Sequence, residues 1–337
     1  MTFSEILGHG RQVAVLMRNI ESGQLPPAYL FHGDEGIGKR LAALALAKAV
    51  NCEGEHGPGD SCGGCRPCRN IASGCHPNFL EMALEANPDT GKMRQEIVIG
   101  QVRAAQAFLS LKSVGPGRKV LVVDGAHQMN EEAMNALLKT LEEPPDGSHV
   151  VLVTSRPNRL LPTMLSRCRA MSFQPLGEDL VAALLVREKG MPEDEASMVA
   201  RMTGGRVGDA LAADAADLRA RREGFISLLA ALAGKGYADI LKLAEAAAKD
   251  GGLEDFVLFG SMWFRDVMMI SLGGAAALAY NRDVAGEVSA WKGRLTPYRC
   301  EEALAMLGNT GRALERTLNR RLLAEDLFFK FKEEVLV

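Results

Sequence analysis

Apolar positions along this 337-residue chain follow two different rhythms, and the change falls near Gln174. Before that point, short continuous apolar runs alternate with segments of helical period. Ala28-Tyr-Leu-Phe-His32 predicts a strand, followed by a Gly-rich turn and an Ala/Leu-rich helix from about Gly38 to Val50. Ile97 to Leu111 predicts a helix and Lys119-Val-Leu-Val-Val-Asp124 a buried strand. Asn130 is the expected cap of a helix whose apolar face, Met134, Leu137, Leu138 and Leu141, recurs at i, i+3, i+4, i+7. Pro144-Pro145 stops that helix, and His149-Val-Val-Leu-Val-Thr154 predicts another buried strand. Strands apolar throughout have both faces covered, so this alternation predicts a parallel sheet between layers of helices.

After Gln174 the strand signals stop. Gly177 to Ala212 fits short helices broken at Gly190-Met-Pro192 and at Gly204-Gly205. From Ala213 to Val337 the pattern is helical throughout, with breaks near Lys249–Gly252 and Leu295-Thr-Pro297. Three domains are expected: 1–174, 175–212 and 213–337. The most apolar late stretch, Met268 to Tyr280, is far short of the ~20 residues a membrane helix needs. With Arg265 and Asp266 just before it, the stretch reads as a buried core helix. Met1 to Gly10 has no basic and apolar leader pattern, so a cytoplasmic chain is expected. A formal net charge of -3 argues against a chain that grips DNA alone by neutralising phosphates.

Candidate chemistry begins at Gly33-Asp-Glu-Gly-Ile-Gly-Lys39-Arg40, which follows a strand and opens a helix. Glycines at 33, 36 and 38 let backbone N–H groups converge on phosphates, and the helix N-terminus adds partial positive charge. Lys39 would reach the terminal phosphates of ATP or ADP. The next position should carry the Ser or Thr hydroxyl that ligates Mg²⁺, and here it is Arg40, which cannot ligate a cation. Asp124 ends a buried strand, where an NTPase places the acid that holds Mg²⁺. The neighbouring glutamate that would polarise water is replaced by Gly125.

Cys52-x₉-Cys62-x₂-Cys65-x₂-Cys68 supplies four thiolates, enough for a closed tetrahedral Zn²⁺ site of structural type. An iron–sulfur cluster is the rival, because Cys62, Cys65 and Cys68 share a ferredoxin-like spacing. In that case Cys75 could be the fourth ligand. The acidic flank from Glu53 to Asp60 counts against a DNA-gripping zinc ribbon.

Several blocks then occur in an order that resembles bacterial clamp-loader subunits of the AAA+ class. Ala136-Leu-Leu-Lys-Thr-Leu-Glu-Glu-Pro-Pro145 resembles their signature, and Ser166-Arg-Cys168 resembles their arginine-finger motif. Gln24 to Phe31, Phe108 to Lys112 and Gly117 to Asp124 are also similar. The blocks span Ile6 to about Leu211; Trp263-Phe-Arg-Asp266 and Asn319 to Phe329 resemble the family's collar more loosely. The resemblance implies an α/β AAA+ P-loop domain over 1–174, with a zinc-binding insertion at about 52–76. A small helical lid over 175–212 and an all-α collar over 213–337 that joins subunits complete it. It also implies partners: gamma/tau and delta-type subunits, and through the assembly a sliding clamp and primed DNA. Arg167 would complete a neighbour's ATP site in trans. Arg40, Gly125 and Gly208, the last standing for a nucleotide-sensing arginine of the lid, favour the non-hydrolysing delta-prime branch over an active gamma/tau ATPase.

Overall fold

A computed structural model of the chain describes residues 1–86, 91–234, 236–249, 251–275, 278–314 and 319–336. In chain order the first elements are α1 (Gly10–Glu21), β1 (Ala28–His32), α2 (Lys39–Ala49), α3 (Arg66–Ala72) and β2 (Phe79–Met82). Then come α4 (Ile99–Ser110), β3 (Lys119–Asp124), α5 (Glu131–Glu142), β4 (Ser148–Thr154), α6 (Pro162–Leu165) and β5 (Arg169–Ser172). The remainder is helical: α7 (Glu178–Lys189), α8 (Glu193–Met202), α9 (Val207–Ala212), α10 (Ala215–Gly234) and α11 (Tyr237–Ala247). α12 (Gly252–Ser271), α13 (Ala285–Trp291), α14 (Pro297–Leu314) and α15 (Arg320–Lys330) follow, and Phe331–Val335 adds a π-helical turn.

The strands form one parallel sheet in the order β2-β3-β4-β1-β5. β1 lies between β4 and β5, so Tyr29 faces Val151 on one side and Arg169 on the other. Alternate residues supply two cores. Tyr29, Phe31, Val120, Val122, Val151 and Val153 pack with the alanines of α2. Leu30, Leu121, Val123, Val150 and Leu152 meet the apolar sides of α4 and α5 on the opposite face. The doubly covered parallel sheet expected from continuous apolar strands is therefore present.

Local expectations meet the structure closely at α5. Asn130 caps it, its side chain accepting the Ala133 N–H at 2.9 Å, and the helix ends at Glu142 ahead of Pro144. Three details differ. The helix expected from Ile97 starts at Ile99, because the Ile97 backbone is engaged by Gln128 and Asn130 at 2.9 and 3.1 Å. β2 and β5 gave no sequence signal; each has four residues at a sheet edge, and most of β5 is exposed. The apolar stretch 268–280 is not one core helix: α12 ends at Ser271, and Leu272 and Gly273 are exposed. Residues 276 and 277 of that stretch, and Asp250 within the expected break at 249–252, lie outside the described residues. Among the described residues no helix is long and apolar enough to cross a membrane.

Two compact units result, one of Met1–Gly190 with Thr203–Ala212, the other of Met191–Met202 with Ala213–Val337. The first holds the sheet. The second is all helical, cored by aromatic side chains: Phe256 lies 4.9 Å from Phe328 and 5.4 Å from Phe225, ring centre to ring centre. Trp263 and Phe264 are buried in it. The buried Asp266 carboxylate accepts the Tyr280 and Asn281 N–H groups at 3.0 and 2.9 Å, which ties the end of α12 to the chain beyond it.

Candidate functional site

The Gly-rich loop Gly33–Gly38, the candidate phosphate loop, joins β1 to α2. Gly33, Gly36 and Gly38 have φ of +140°, +73° and +97°, a region that favours glycine. At Gly33 a Cβ would also collide with the Phe173 carbonyl oxygen. Lys39 is buried, and its ammonium donates to the Gly33 carbonyl at 2.8 Å and to that of Asp34. Burial pulls the Lys39 ammonium below its ordinary value, against the opposing charges of Glu35, Asp124 and Asp34. A cavity of about 570 Å³ opens beside the loop, lined by Gly36, Lys39, Arg40, Asp124, Thr154 and Gly208 among others.

The three departures from an active NTPase each have a structural counterpart here. Arg40 donates from Nη2 to Glu81 Oε2 at 2.7 Å and from Nε to Glu81 Oε1. Its Nε is also 3.8 Å from Asp124 Oδ2. The guanidinium thus stands between the loop and the strand-end acids, where a hydrolase needs a divalent cation. Hydrogen bonding to Glu81 raises the Arg40 pKa, while burial and the Glu81 charge raise that of Asp124. At Gly125, with φ of +70°, a Cβ would collide with Gln128 Oε1, so an amide fills the space of the missing glutamate. At Gly208 the N–H donates to the Gly36 carbonyl at 2.7 Å, and a Cβ would lie 3.1 Å from Gly36 Cα. α9 therefore sits directly on the loop, and an arginine at 208 would press on its backbone. Arg206, the nearest alternative, is held by Asp209 at 2.5 Å. Glu81 carried no local sequence signal, and the strand register brings it here; Gln128 and Asp209 are local partners, three residues from Gly125 and Arg206.

Arg167 follows the short α6. Its Nη2 is 2.7 Å from Glu142 Oε1, and its Nη1 donates to the Thr163 carbonyl at 2.8 Å and to Ser166 Oγ at 3.4 Å. The side chain is 34% exposed, on the surface and away from the chain's own phosphate loop lining. Cys168, two-sided in the motif, packs against the core beneath α4 and α5, and burial pushes its thiol up to about 11. It anchors the motif as a neutral apolar group.

The four cysteines predicted to share a metal do come together. Their sulfurs all lie within 4.8 Å of one another, with Cys52 and Cys65 3.8 Å apart. Tetrahedral Zn–S arms of ~2.3 Å require sulfurs about 3.8 Å apart, so the donor set fits a metal such as zinc. Backbone N–H groups already point at sulfur: Cys62 to Cys52 at 3.3 Å and Cys65 to Cys62 at 3.2 Å. Such donors favour thiolate. Burial opposes ionisation of Cys65, but N–H groups of Cys68 and Glu53 and the neighbouring thiols pull it down to about 6. Burial and the thiols of Cys65 and Cys52 push Cys68 the other way. Gly54 lets the chain turn past the cluster, since a Cβ there would lie 2.6 Å from Cys62 Sγ. Cys75 is exposed and outside the group.

Asp60, which the sequence did not single out, ties this module to the start of the chain. Its carboxylate accepts the Phe3 and Ser4 N–H groups at 2.8 and 3.0 Å and the Ser4 hydroxyl at 2.5 Å. Burial would raise its pKa, but these bonds together with that from Ser61 N–H lower it overall. Asp60→Ala strands donors in a buried setting. It is expected to cost about 2–4 kcal/mol in chemical denaturation and to remove hydrogen-exchange protection from residues 3 and 4. Unchanged protection there would refute the clamp.

A family model for the DNA polymerase III delta subunit matches residues 8–177. The delta-prime subunit of DNA polymerase III from Escherichia coli is 30% identical over 325 residues, 94% of this chain and 92% of that one. That of Bacillus subtilis is 36% identical over 193 residues, 57% of this chain and 55% of the relative, so the chain spans about half of that protein's length. The tau subunit of B. subtilis is 29% identical over 215 residues, covering 62% of this chain and 36% of that one.

Proposed function

The chain belongs to the DNA polymerase III delta-prime family, and from that premise we propose that it is the non-hydrolysing member of a clamp-loader assembly. The observation that carries this reading is the Arg40 guanidinium bridging Glu81 and Asp124. A permanent organic cation at that place leaves no ligand set for the divalent ion that phosphoryl transfer needs. Gly125 removes the water-polarising acid, and α9 packs so closely on Gly36 that glycine at 208 suits the contact.

In this reading 1–174 is the AAA+ domain, 175–212 its lid and 213–337 the collar that joins gamma/tau and delta-type subunits. Support for the collar comes from apolar side chains of the helical unit that stand in solvent: Tyr237, Leu241, Tyr298 and Leu322. Arg167 faces a neighbour's ATP and stabilises the charge that develops on its terminal phosphate. Contact with the sliding clamp and primed DNA comes through the assembly, in keeping with the net charge of -3. The metal at the cysteine cluster is structural zinc, because all four positions of a tetrahedral ion are filled by protein sulfur.

The active gamma/tau-type ATPase is the rival, carried by Lys39 and Asp124. The purified chain is expected to show no ATP turnover above background, with or without Mg²⁺, and to enter a single complex with gamma/tau and delta-type subunits on size exclusion. Steady hydrolysis by the isolated chain would overturn the reading in favour of the rival.

A further inference from the structure

We propose that Glu142 is the positioning residue for Arg167, an inference that rests on Arg167 acting in trans. Arginine reaches its charge through four rotatable bonds, and on an open surface it loses much of its effect to motion. Here the guanidinium is held from three sides: by Glu142 Oε1 at 2.7 Å, the Thr163 carbonyl at 2.8 Å and Ser166 Oγ at 3.4 Å.

The holders are rigid for separate reasons. Glu142 is the last residue of α5, which is capped by Asn130 and buried through Leu137 and Leu141 against the sheet. Thr163 lies in α6, where Met164 is buried in the same core. Ser166 donates its hydroxyl to the Thr163 carbonyl at 3.0 Å, which leaves its oxygen turned toward Arg167.

A guanidinium carries five N–H donors in a planar fork. The hydrogen bonds to Thr163 and Ser166 come from Nη1, and the ion pair with Glu142 falls on Nη2. The Nε–H has no partner among the described residues and is left to meet an oxygen of a phosphoryl group. Glu142 therefore does not compete with a phosphate for the guanidinium. It holds the Nη2 side of the fork while the Nε–H stays available. The pairing also explains why the Leu-Glu-Glu-Pro-Pro and Ser-Arg-Cys segments occur in one chain: the first ends a helix at the point from which its glutamate reaches the second.

The experiment is a double-mutant cycle on ATP turnover by the reconstituted assembly. Glu142→Ala is expected to lower kcat about 2- to 5-fold with KM for ATP unchanged, the size of bias that a part-exposed ion pair can impose on a transition-state contact. Glu142→Gln, which keeps an acceptor oxygen, is expected to recover most of that loss. In an Arg167→Ala background Glu142→Ala is expected to add nothing. A Glu142→Ala loss that persists undiminished in that background would mark a merely structural role. Faster turnover in Glu142→Ala would mark the contact as a brake, and unchanged turnover would show no role; each overturns the proposal. If Arg167→Ala alone leaves turnover intact, the finger reading itself has failed, and the positioning role falls with it. Complex formation by both Glu142 variants, read on size exclusion, separates these outcomes from misfolding.

Discussion

Arg167→Ala is expected to lower ATP turnover by the assembled loader about 10³-fold while leaving assembly and the melting temperature of the chain unchanged. The two halves of this expectation have different physical sources. Charge that develops on phosphoryl oxygens in the transition state is stabilised by a guanidinium placed in advance, and such fingers contribute ~10³ to 10⁵ in rate. Within its own chain the same side chain does little for stability. Its pairing with Glu142 is part-exposed on both sides, at 34% and 47%, and solvent screening holds such a pair to about 0–1 kcal/mol. A loss of turnover in the assembly with folding and assembly intact is the result expected of a residue that acts on the chemistry and not on the fold. Arg167→Lys is expected to recover little, because an ammonium is a point charge without the planar fork. Steady-state hydrolysis across an ATP titration gives the measurement, and a turnover equal to wild type would remove Arg167 from the chemistry.

Loss of the metal is expected to have the largest effect on stability. Cys68→Ala removes the one fully buried thiol of the cluster. It is expected to abolish tight zinc retention and to lower the stability of the sheet-bearing unit by about 5 kcal/mol or more, since binding energy at structural zinc sites of ~10–16 kcal/mol is folding energy. The cluster touches the fold at several places. Cys65 caps α3, Cys68 lies within it, and Asp60 reaches from the same loop to the first residues of the chain. Metal analysis of dialysed protein alongside thermal melting checks the expectation. A colourless protein with about one zinc per chain supports the reading, whereas visible absorption with iron would restore the iron–sulfur rival. Metal retention should weaken on acidification, because every thiol that the metal holds as thiolate must be reprotonated.

Much of this was readable from the chain. β1, β3 and β4 announce themselves as continuous apolar runs because central strands are covered on both faces. The glycines at 33, 36 and 38 sit where the backbone turns through positive φ. The cysteines signalled their cluster because two of the three gaps are short enough for a single turn. What could not be read was set by register. Glu81 meets Arg40 because β2 lies beside β3 at the sheet edge, and Glu142 meets Arg167 because α5 runs back over the sheet. Neither partner is within twenty residues of the other, so no local pattern encodes the contact. β5, Arg169-Ala-Met-Ser172, is too short and too polar to signal a strand; it becomes one by pairing with β1.

The position of β1 between β4 and β5 has a consequence for synthesis of the protein. The Ala28–His32 segment leaves the ribosome before both of its neighbours, which end at Thr154 and Ser172. At typical elongation rates of about 5–20 residues per second, the apolar segment waits on the order of 10 s for its partners. Until then the phosphate loop has no β1 to spring from and the N-terminal residues have no completed core to close. Nascent chains that have emerged only as far as residue 148 are therefore the form of this protein that most needs a chaperone, and emergence of residues 148–172 from the ribosome should relieve that need.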